Sequence, residues 1–553
     1  MTFSPLDPSP MTASKRWLNP AWSWVALGLA LVWVVLLRVP LVMNARAHLD
    51  GDLAVDGLTL IDAVGGKLRW HYPGTPFIGS IPVLLSILPA KVVGVGPESL
   101  VSGGVIAFGL LVASSFWLNY RVFGPVVAAW GLVPLTFAST GAIWLSGRIT
   151  GGHLLTAVWH ASAFAILAGG WKRGGGWKRS GVLGVWCGLG LYLDTMFAAS
   201  WIGLAMAVLI GGWWGAPRPR SARRALASLL AFVVAAGVGV APRFVGRFVD
   251  PHDSYQGQFL IVTDYDTMMD NLWMLLFDCE PRLVAGHRLP GMEIDPVEFP
   301  DGSRPAPRAF VGWILPITTL LALLLFAWTF VRLLRAKVGG DLRAKAIALG
   351  LIASNLVVLV GFLTMGNITN SDNYRYLVFL LVPWSTGFGV LFGRWASGGW
   401  FARGFAVSLA LVFAGLMTVD ASRWYARLGW VDEAGWRPVR VVPNDPVLAW
   451  LDDHPDVSAI FGDYWDVYRL AFLTGGRVQG VPLPIYPNRF PEVSRSLPGG
   501  RPRILIARPG GRSLQFRDRA LAEGGREIAR EPAFSVVDWP IPPAIPSPRR
   551  FAR

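Results

Sequence analysis

AWSWVALGLALVWVVLLRVPLVM (Ala21–Met43) runs directly into NARAHLDGDLAVDGLTLIDAVGGKLRWHYPGTPF (Asn44–Phe77). The first piece is apolar almost throughout and, as a helix, is long enough to cross the roughly 30 Å hydrocarbon core of a bilayer. The second turns polar at once and brings Asp50, Asp52 and Asp56 within a few residues of the last apolar position. A membrane surface is therefore expected near Met43, with Asp50 and Asp52 held close to it.

The rest of the chain repeats the first pattern. Of 553 residues, 53% are hydrophobic and 15% charged, against about 25% charged in soluble domains. The mean hydropathy of +0.46 excludes a soluble globular enzyme. Apolar blocks predict spans at 21–43, 101–118, 125–145, 154–170, 181–193, 196–214, 225–241, 309–331, 346–364, 376–393 and 404–419, about eleven in all. The first block is read as a retained helix, because no small-residue cleavage site follows a short core. Cys187 and Cys279 lie in different surroundings, so free thiols are expected and not a disulfide framework.

A formal charge of +15 does not mark a nucleic-acid binder here, because the basic residues sit in short loops between apolar blocks. They orient the chain. With the piece 77–96 kept from crossing, Lys15 and Arg16 share one side with Arg121, Lys172, Arg173, Lys178, Arg179, Arg218, Arg220, Arg223, Arg224, Arg332, Arg335, Lys337, Arg343, Lys345, Arg394 and Arg403. If 77–96 crossed, all but the first two would fall outside. Residues 77–96, broken by Pro82 and Pro89, are therefore read as re-entrant or interfacial.

This topology sets the expected layout. It comprises a cytoplasmic N-terminus (1–20), a transmembrane domain (21–419) with outer loops 44–76 and 242–308, an extracytoplasmic α/β domain (420–540) and a disordered basic tail (541–553). In the α/β domain the apolar runs SAIFGDYW and RILIARPG suggest strands, and RDRALAEGGREIAR reads as helical. The fold class is thus an all-α polytopic membrane domain followed by a small α/β domain.

Drawn as a helix from Asp52, the first outer loop places Leu53, Gly57, Leu60 and Val64, with Leu58 and Ile61, on one face and Asp52, Asp56 and Thr59 on the other. This predicts an interfacial helix with a carboxylate at its N-terminus. Free N–H groups and the helix dipole favour the charged form there, so Asp52 suits a general base or a cation ligand. A plain helix cap is the alternative. Asp50 and Asp56 are the other candidates for base or metal ligand, or are structural.

The stretch Gly51-Asp52-Leu53-Ala54-Val55-Asp56-Gly57-Leu58, then Gly65-Gly66 and Tyr72-Pro73-Gly74-Thr75-Pro76-Phe77-Ile78-Gly79-Ser80, resembles the first outer loop of the C-type (GT-C) membrane glycosyltransferases. The likeness is to bacterial relatives of dolichyl-phosphate-mannose protein mannosyltransferases and of lipid A aminoarabinose transferases. It implies a GT-C fold, a polyprenyl-phosphate-linked sugar as donor, and Asp52 as the catalytic base, with His71 and Tyr72 beside the substrate. The usual acidic pair of that family is here Asp52-Leu53.

The turn Gly147-Arg148-Ile149-Thr150-Gly151-Gly152-His153 resembles the second outer turn of the same enzymes, and Asn373-Tyr374-Arg375-Tyr376-Leu377 resembles a segment at the outer end of a late helix. Arg148 and Arg375 are candidate phosphate ligands, since a guanidinium gives two parallel charge-assisted hydrogen bonds. His153, Tyr374 and Tyr376 are candidate substrate contacts, although a capping histidine and an aromatic belt also fit. Asp194 caps a turn or is an intramembrane acid. In the tail, Tyr464 and Trp465 of GDYWDVYRL are candidate sugar-binding rings or core residues.

No phosphate-binding glycine loop, HExxH zinc motif or His/Cys cluster is present, so ATP-driven transport and zinc proteolysis lack their machinery. No cofactor is called for beyond an optional divalent cation. The reading is an inverting glycosyltransferase in a bacterial inner membrane, with a periplasmic C-terminal domain. Its expected partners are membrane lipids, a lipid-linked sugar and an acceptor protein, lipid or glycan. The alternatives are a transporter or flippase, with Asp194, His160 and Asp52 along a polar pathway, and a sensor whose outer tail binds a ligand. A transporter gathers polar groups near the midplane, whereas here they collect at one face.

Overall fold

The computed structural model describes residues 20–149, 152–172, 176–214, 222–249, 261–262, 264–290, 342–366, 368, 370–497 and 502–540. Among these, six helices are long and apolar enough to cross a membrane: Pro20–Met43, Pro97–Phe123, Leu226–Val249, Ala344–Leu363, Ser371–Ala396 and Trp400–Arg427. This is a multi-pass membrane protein. The expected spans at 154–170, 181–193 and 196–214 form shorter apolar helices. The expected span 125–145 is bent by 85° between Pro125–Thr136 and Thr140–Ser146. That at 309–331 lies outside the described residues, as do the N-terminal 19, residues 250–260, 263 and 291–308 of the acidic loop and the tail beyond residue 540. The span expected to end at 241 continues to Val249, with Pro242 inside the helix.

The elements used below are α1 (Pro20–Leu36), α2 (Gly51–Val64), strands β1 (His71–Tyr72) and β2 (Thr75–Gly79), α3 (Pro97–Phe123), α4 (His153–Lys172), α5 (Trp177–Leu193), α6 (Ala198–Trp214), α7 (Ala222–Val249) and α8 (Leu342–Leu363). A tight 3-10 helix, Ser371–Leu380, then leads into α9 (Leu381–Ala396), and α10 (Trp400–Arg427) follows. Small residues bring the membrane helices together. Gly184 and Gly188 of α5 face the backbone of α7, and Gly203 of α6 faces Gly350 of α8, at separations no side chain would allow. Such seams replace the hydrophobic effect, which gives little drive between helices in lipid. On the other side of α7, Leu226, Leu229, Leu230, Val233, Val234 and Val238 are exposed, as a lipid-facing surface requires.

Residues 77–96 are broken as expected: β2 is followed by the short helices Ile81–Leu84 and Ile87–Val93. Beyond α10 lies a five-stranded sheet of β3 (Ala459–Gly462), β4 (Gln479–Pro482), β5 (Ile504–Ala507), β6 (Arg526–Glu531) and β7 (Phe534–Asp538), ordered β4-β3-β5-β7-β6. Its first three strands are parallel, with Ile460 opposite both Gly480 and Ile504, and β7 and β6 run antiparallel to their neighbours. The helix α11 (Tyr464–Leu473) follows β3 immediately, and α12 (Ser513–Ala522) follows β5. RDRALAEGGREIAR is thus helical only in its first half: Gly524 turns the chain at φ +86° and REIARE forms the edge strand β6.

The interfacial helix predicted from Asp52 is α2, but its polar face is not solvated. Asp56 is 1% exposed and Thr59 3%, while Val64, assigned to the packed face, is exposed. The cover comes from far away in sequence. A Cβ on Gly51 would lie 2.9 Å from Trp465 Cα, and one on Gly57 would lie 2.6 Å from the Phe472 ring, so α11 rides directly on α2.

Candidate active site around Asp52

The N-terminus of α2 carries two acids with separate duties. Asp50 is the N-cap and accepts from the Leu53 N–H at 2.9 Å, which removes the alternative of Asp52 as a plain cap. Its other oxygen pairs with Arg148 at 2.7 Å. Asp52 sits in the first turn, where the dipole still favours a carboxylate. Its Oδ1 accepts from the Tyr464 hydroxyl at 2.6 Å, and Arg489 Nη2 stands 4.0 Å away. Tyr464 in turn accepts from Arg489 Nε at 3.1 Å. A hydrogen bond to a charged group contributes about 1.5–3 kcal/mol.

Arg489 is itself fixed. Its backbone N–H donates to the Tyr468 hydroxyl at 2.7 Å, and its guanidinium lies against the Tyr72 and Tyr464 rings at 5.9 and 5.8 Å. The β1–β2 turn makes room for it: Gly74 has φ +71°, and a Cβ there would lie 2.9 Å from Arg489 Cδ. Burial works against the Arg489 charge, but Asp52 and the surrounding phenols hold it well above the ordinary arginine range. Burial, then Asp56 and Asp52, push the Tyr72 phenol well up, and burial with Asp52 does the same to Tyr464. Both phenols are therefore donors at neutral pH. Tyr72 donates to the Asp52 carbonyl at 3.1 Å.

A cation pole faces this acid. Arg148 and Arg375 both feel the Asp52 charge. Burial opposes the Arg148 charge, but Asp50, Tyr374, Asp372 and Asp52 together outweigh it, so that group is raised. Arg375 lies 5.5 Å from the Tyr376 ring centroid, and its Nε is buried without a hydrogen-bond partner among the described residues. A third cation, Arg282, donates to Ser371 Oγ and Asp372 Oδ1, both at 2.6 Å, and stacks 5.1 Å from the Tyr374 ring centroid.

The remaining predicted residues separate into two groups. His153 Nδ1 bonds Asp194 Oδ2 at 2.8 Å and its ring meets Tyr376 at 5.1 Å, while Asp194 also caps the turn Thr195–Phe197. Half-buried Tyr376 thus links His153 to Arg375. Tyr374 is not presented to a ligand: it is 2% exposed beneath Arg282. His71 is buried against α7, at the edge of a side cleft of about 180 Å³ that Trp70, Lys67 and Arg489 also line. Trp465, beside Tyr464, is 52% exposed. His160 is a core residue, bonded to Ser200 and stacked on Phe379.

Among the described residues no group of three or more His, Cys, Asp or Glu is placed to hold a metal. The acids of α2 do not converge as ligands: Asp50 is committed to Arg148 and the helix N–H, and Asp52 Oδ1 to Tyr464. Both cysteines are free and buried.

Two residues escaped the sequence reading. Arg282 stands in the acid-rich loop, where it looked like one charge among many. Arg489 stands in PIYPNRFPEV, where a lone arginine between prolines and aromatics was the available signal.

No family model and no curated protein matches this sequence. Solved structures do resemble it. ArnT from Cupriavidus metallidurans in the apo state superimposes with a TM-score of 0.53 at 14% identity, over 94% of this chain and 97% of the other. The same protein bound to undecaprenyl phosphate gives 0.52 at 15%, over 94% and 98%. The Archaeoglobus fulgidus oligosaccharyltransferase in the apo form gives 0.52 at 12%, over 89% and 70%. Both proteins are GT-C glycosyltransferases, and at these identities the likeness is one of fold. The chain has the GT-C fold.

Proposed function

We propose that this protein is an inverting glycosyltransferase that moves a sugar from a polyprenyl phosphate to an acceptor hydroxyl at the outer face of the membrane. The observation that carries the reading is a carboxylate, Asp52, at a helix N-terminus with Arg148 and Arg375 within reach of its charge. The GT-C fold supports it, as do the lipid phosphates bound by its structural neighbours: undecaprenyl phosphate in ArnT and a dolichol-phosphate in the archaeal oligosaccharyltransferase AglB.

In this reading the donor's tail lies among the membrane helices and its phosphate rests on Arg375, with Arg148 beside it. Asp52 accepts the proton of the acceptor hydroxyl as that oxygen bonds to the anomeric carbon. The bond from the anomeric carbon to the phosphate oxygen breaks on the opposite face, and its electron pair leaves with the polyprenyl phosphate. Arg375 stabilises the negative charge that grows there. Acceptor contacts come from Trp465 and from the side cleft at His71. The chain crosses the membrane about eleven times, with shorter helices completing spans inside the bundle. The N-terminus is cytoplasmic, and residues 420–540 form a periplasmic domain of a bacterial inner-membrane protein.

Purified protein in detergent, given a panel of polyprenyl-phosphate sugars and crude acceptor, is expected to release polyprenyl phosphate. Asp52→Asn should lower that rate about 10²–10⁴-fold. Absence of turnover with every donor, while labelled lipid is still moved between vesicle leaflets, would replace this reading with a flippase.

A further inference from the structure

We propose that Tyr464 and Arg489, both from the C-terminal unit, are positioning residues that complete the base, fixing Asp52 Oδ1 and leaving Oδ2 as the oxygen that takes the proton. This rests on the reading of Asp52 as the base.

The geometry is a relay. Arg489 Nε donates to the Tyr464 oxygen at 3.1 Å, and the Tyr464 hydroxyl donates to Asp52 Oδ1 at 2.6 Å. The guanidinium polarises the phenol, and the phenol holds the carboxylate. Neither donor stands on a mobile support. Tyr464 opens α11 just after Asp463, whose carboxylate accepts from the Ser513 N–H at 3.1 Å, from the Ser513 hydroxyl, and from the Tyr486 hydroxyl at 3.1 Å. Arg489 is pinned by the Tyr468 hydroxyl and by the Gly74 turn. On the other side, Gly51 and Gly57 let α2 approach α11 closely enough for a phenol to reach a first-turn carboxylate.

The two oxygens of Asp52 are consequently unequal. Oδ1 carries the phenol and faces the guanidinium, whereas Oδ2 accepts no hydrogen bond among the described residues, and the side chain retains 18% exposure. The relay therefore fixes the carboxylate through Oδ1 and holds Oδ2 in one direction. Arg489 also faces Oδ1 directly, at the long edge of ion-pair range at 4.0 Å, so both approaches converge on the same oxygen.

The test is kcat and KM measured separately for full-length wild type, Tyr464→Phe, Arg489→Lys and Arg489→Met in detergent. Tyr464→Phe keeps the ring packing, so folding should survive, and it should lower kcat about tenfold with KM nearly unchanged. Arg489→Lys should lose less kcat than Arg489→Met. A Tyr464→Phe kcat equal to wild type, or a change confined to KM, overturns the proposal while leaving Asp52→Asn to judge the base. If wild type itself shows no turnover, the glycosyltransferase reading fails. The relay is then judged by thermal midpoints of Asp52→Asn, Tyr464→Phe and the double variant. A double loss smaller than the sum of the singles retains the contact, and strict additivity overturns it.

Discussion

The two poles of the site are built on opposite plans. At the cation pole, Arg148 and Arg282 each meet a carboxylate, Asp50 at 2.7 Å and Asp372 at 2.6 Å, while Arg375 meets none at ion-pair distance among the described residues. At the acid pole, Asp52 is held by a neutral phenol, and its nearest guanidinium stands at 4.0 Å. Under the proposed function, the pole that receives an anion keeps one cation without a carboxylate partner inside a charge-balanced frame. The pole that receives a proton holds one carboxylate oxygen with a phenol and a long-range guanidinium and leaves the other oxygen facing the site. The poles also differ in origin: the first draws on the segment after Ser146, the short helix Glu280–Ala285 and the 3-10 helix Ser371–Leu380, whereas the second is shared between α2 and the C-terminal unit.

The comparison breaks most directly at the arginines. Arg375→Met should lower kcat about 10²–10³-fold, the loss expected when one donor to a developing negative charge is removed. Arg375→Lys should recover part of it, because an ammonium cannot give the paired hydrogen bonds of a guanidinium. Arg148→Met should cost only about tenfold, since most of that charge already answers Asp50. Steady-state release of polyprenyl phosphate measures both. Equal losses at the two positions would show that the ion pair opens for the donor and that the frame is not a frame.

A second prediction separates the poles physically. Gly57 faces the Phe472 ring so closely that a Cβ would lie at 2.6 Å. Gly57→Val must therefore push α11 away from α2, at about 1–3 kcal/mol for overpacking. The thermal midpoint in detergent should fall. Activity should fall further than stability accounts for, because Tyr464 moves with α11. Arg375 sits on a different element and should still bind labelled lipid phosphate with near wild-type affinity. Lost lipid binding in a folded Gly57→Val protein would mean that the poles are one unit.

What the sequence made legible follows the same division. Apolar blocks marked the membrane helices because lipid demands long uninterrupted runs, and acids or arginines directly beside those runs marked Asp52, Arg148 and Arg375. The block at 154–170 gave a short helix buried almost throughout, which need not match the bilayer alone, whereas that at 196–214 is short yet exposes Ile202, Met206, Val208 and Leu209. The acid pole was half hidden. The burial of Asp56 and Thr59, on the face opposite the apolar one, was not legible because their cover, α11, lies some 400 residues away. Tyr464 was recognisable as an aromatic beside carboxylates, but nothing local paired it with Asp52. Asp50 and Asp52 differ by two residues on a helix whose start periodicity cannot fix, so which one caps was decided only by where the helix begins, at Gly51, with Asp50 extended before it.

The smallest effect concerns how much positive charge the cation pole holds. His48 packs between Trp144 and Trp430, at 5.1 and 5.5 Å, with Nε2 3.1 Å from the Leu41 carbonyl. Burial pushes its imidazole down to about 4, the Leu41 carbonyl opposes that, and the charge of Arg148 adds to the lowering. In the folded protein the ring is therefore neutral at pH 5, where an unfolded histidine of pKa about 6.5 is mostly charged. The unfolded state binds the extra proton, so stability is fully present above about 6.5 and declines as the pH falls towards 4. His48→Gln should remove that part of the decline: its thermal midpoint should start below wild type at pH 7.5, and the gap should narrow at pH 5. Arg148→Met should also flatten the wild-type curve slightly, because one cause of the lowering is gone. A gap that stays constant with pH would mean that the ring is not held neutral and that the cation pole tolerates a further charge beside Arg148, against the balance drawn from Asp50 and Asp372.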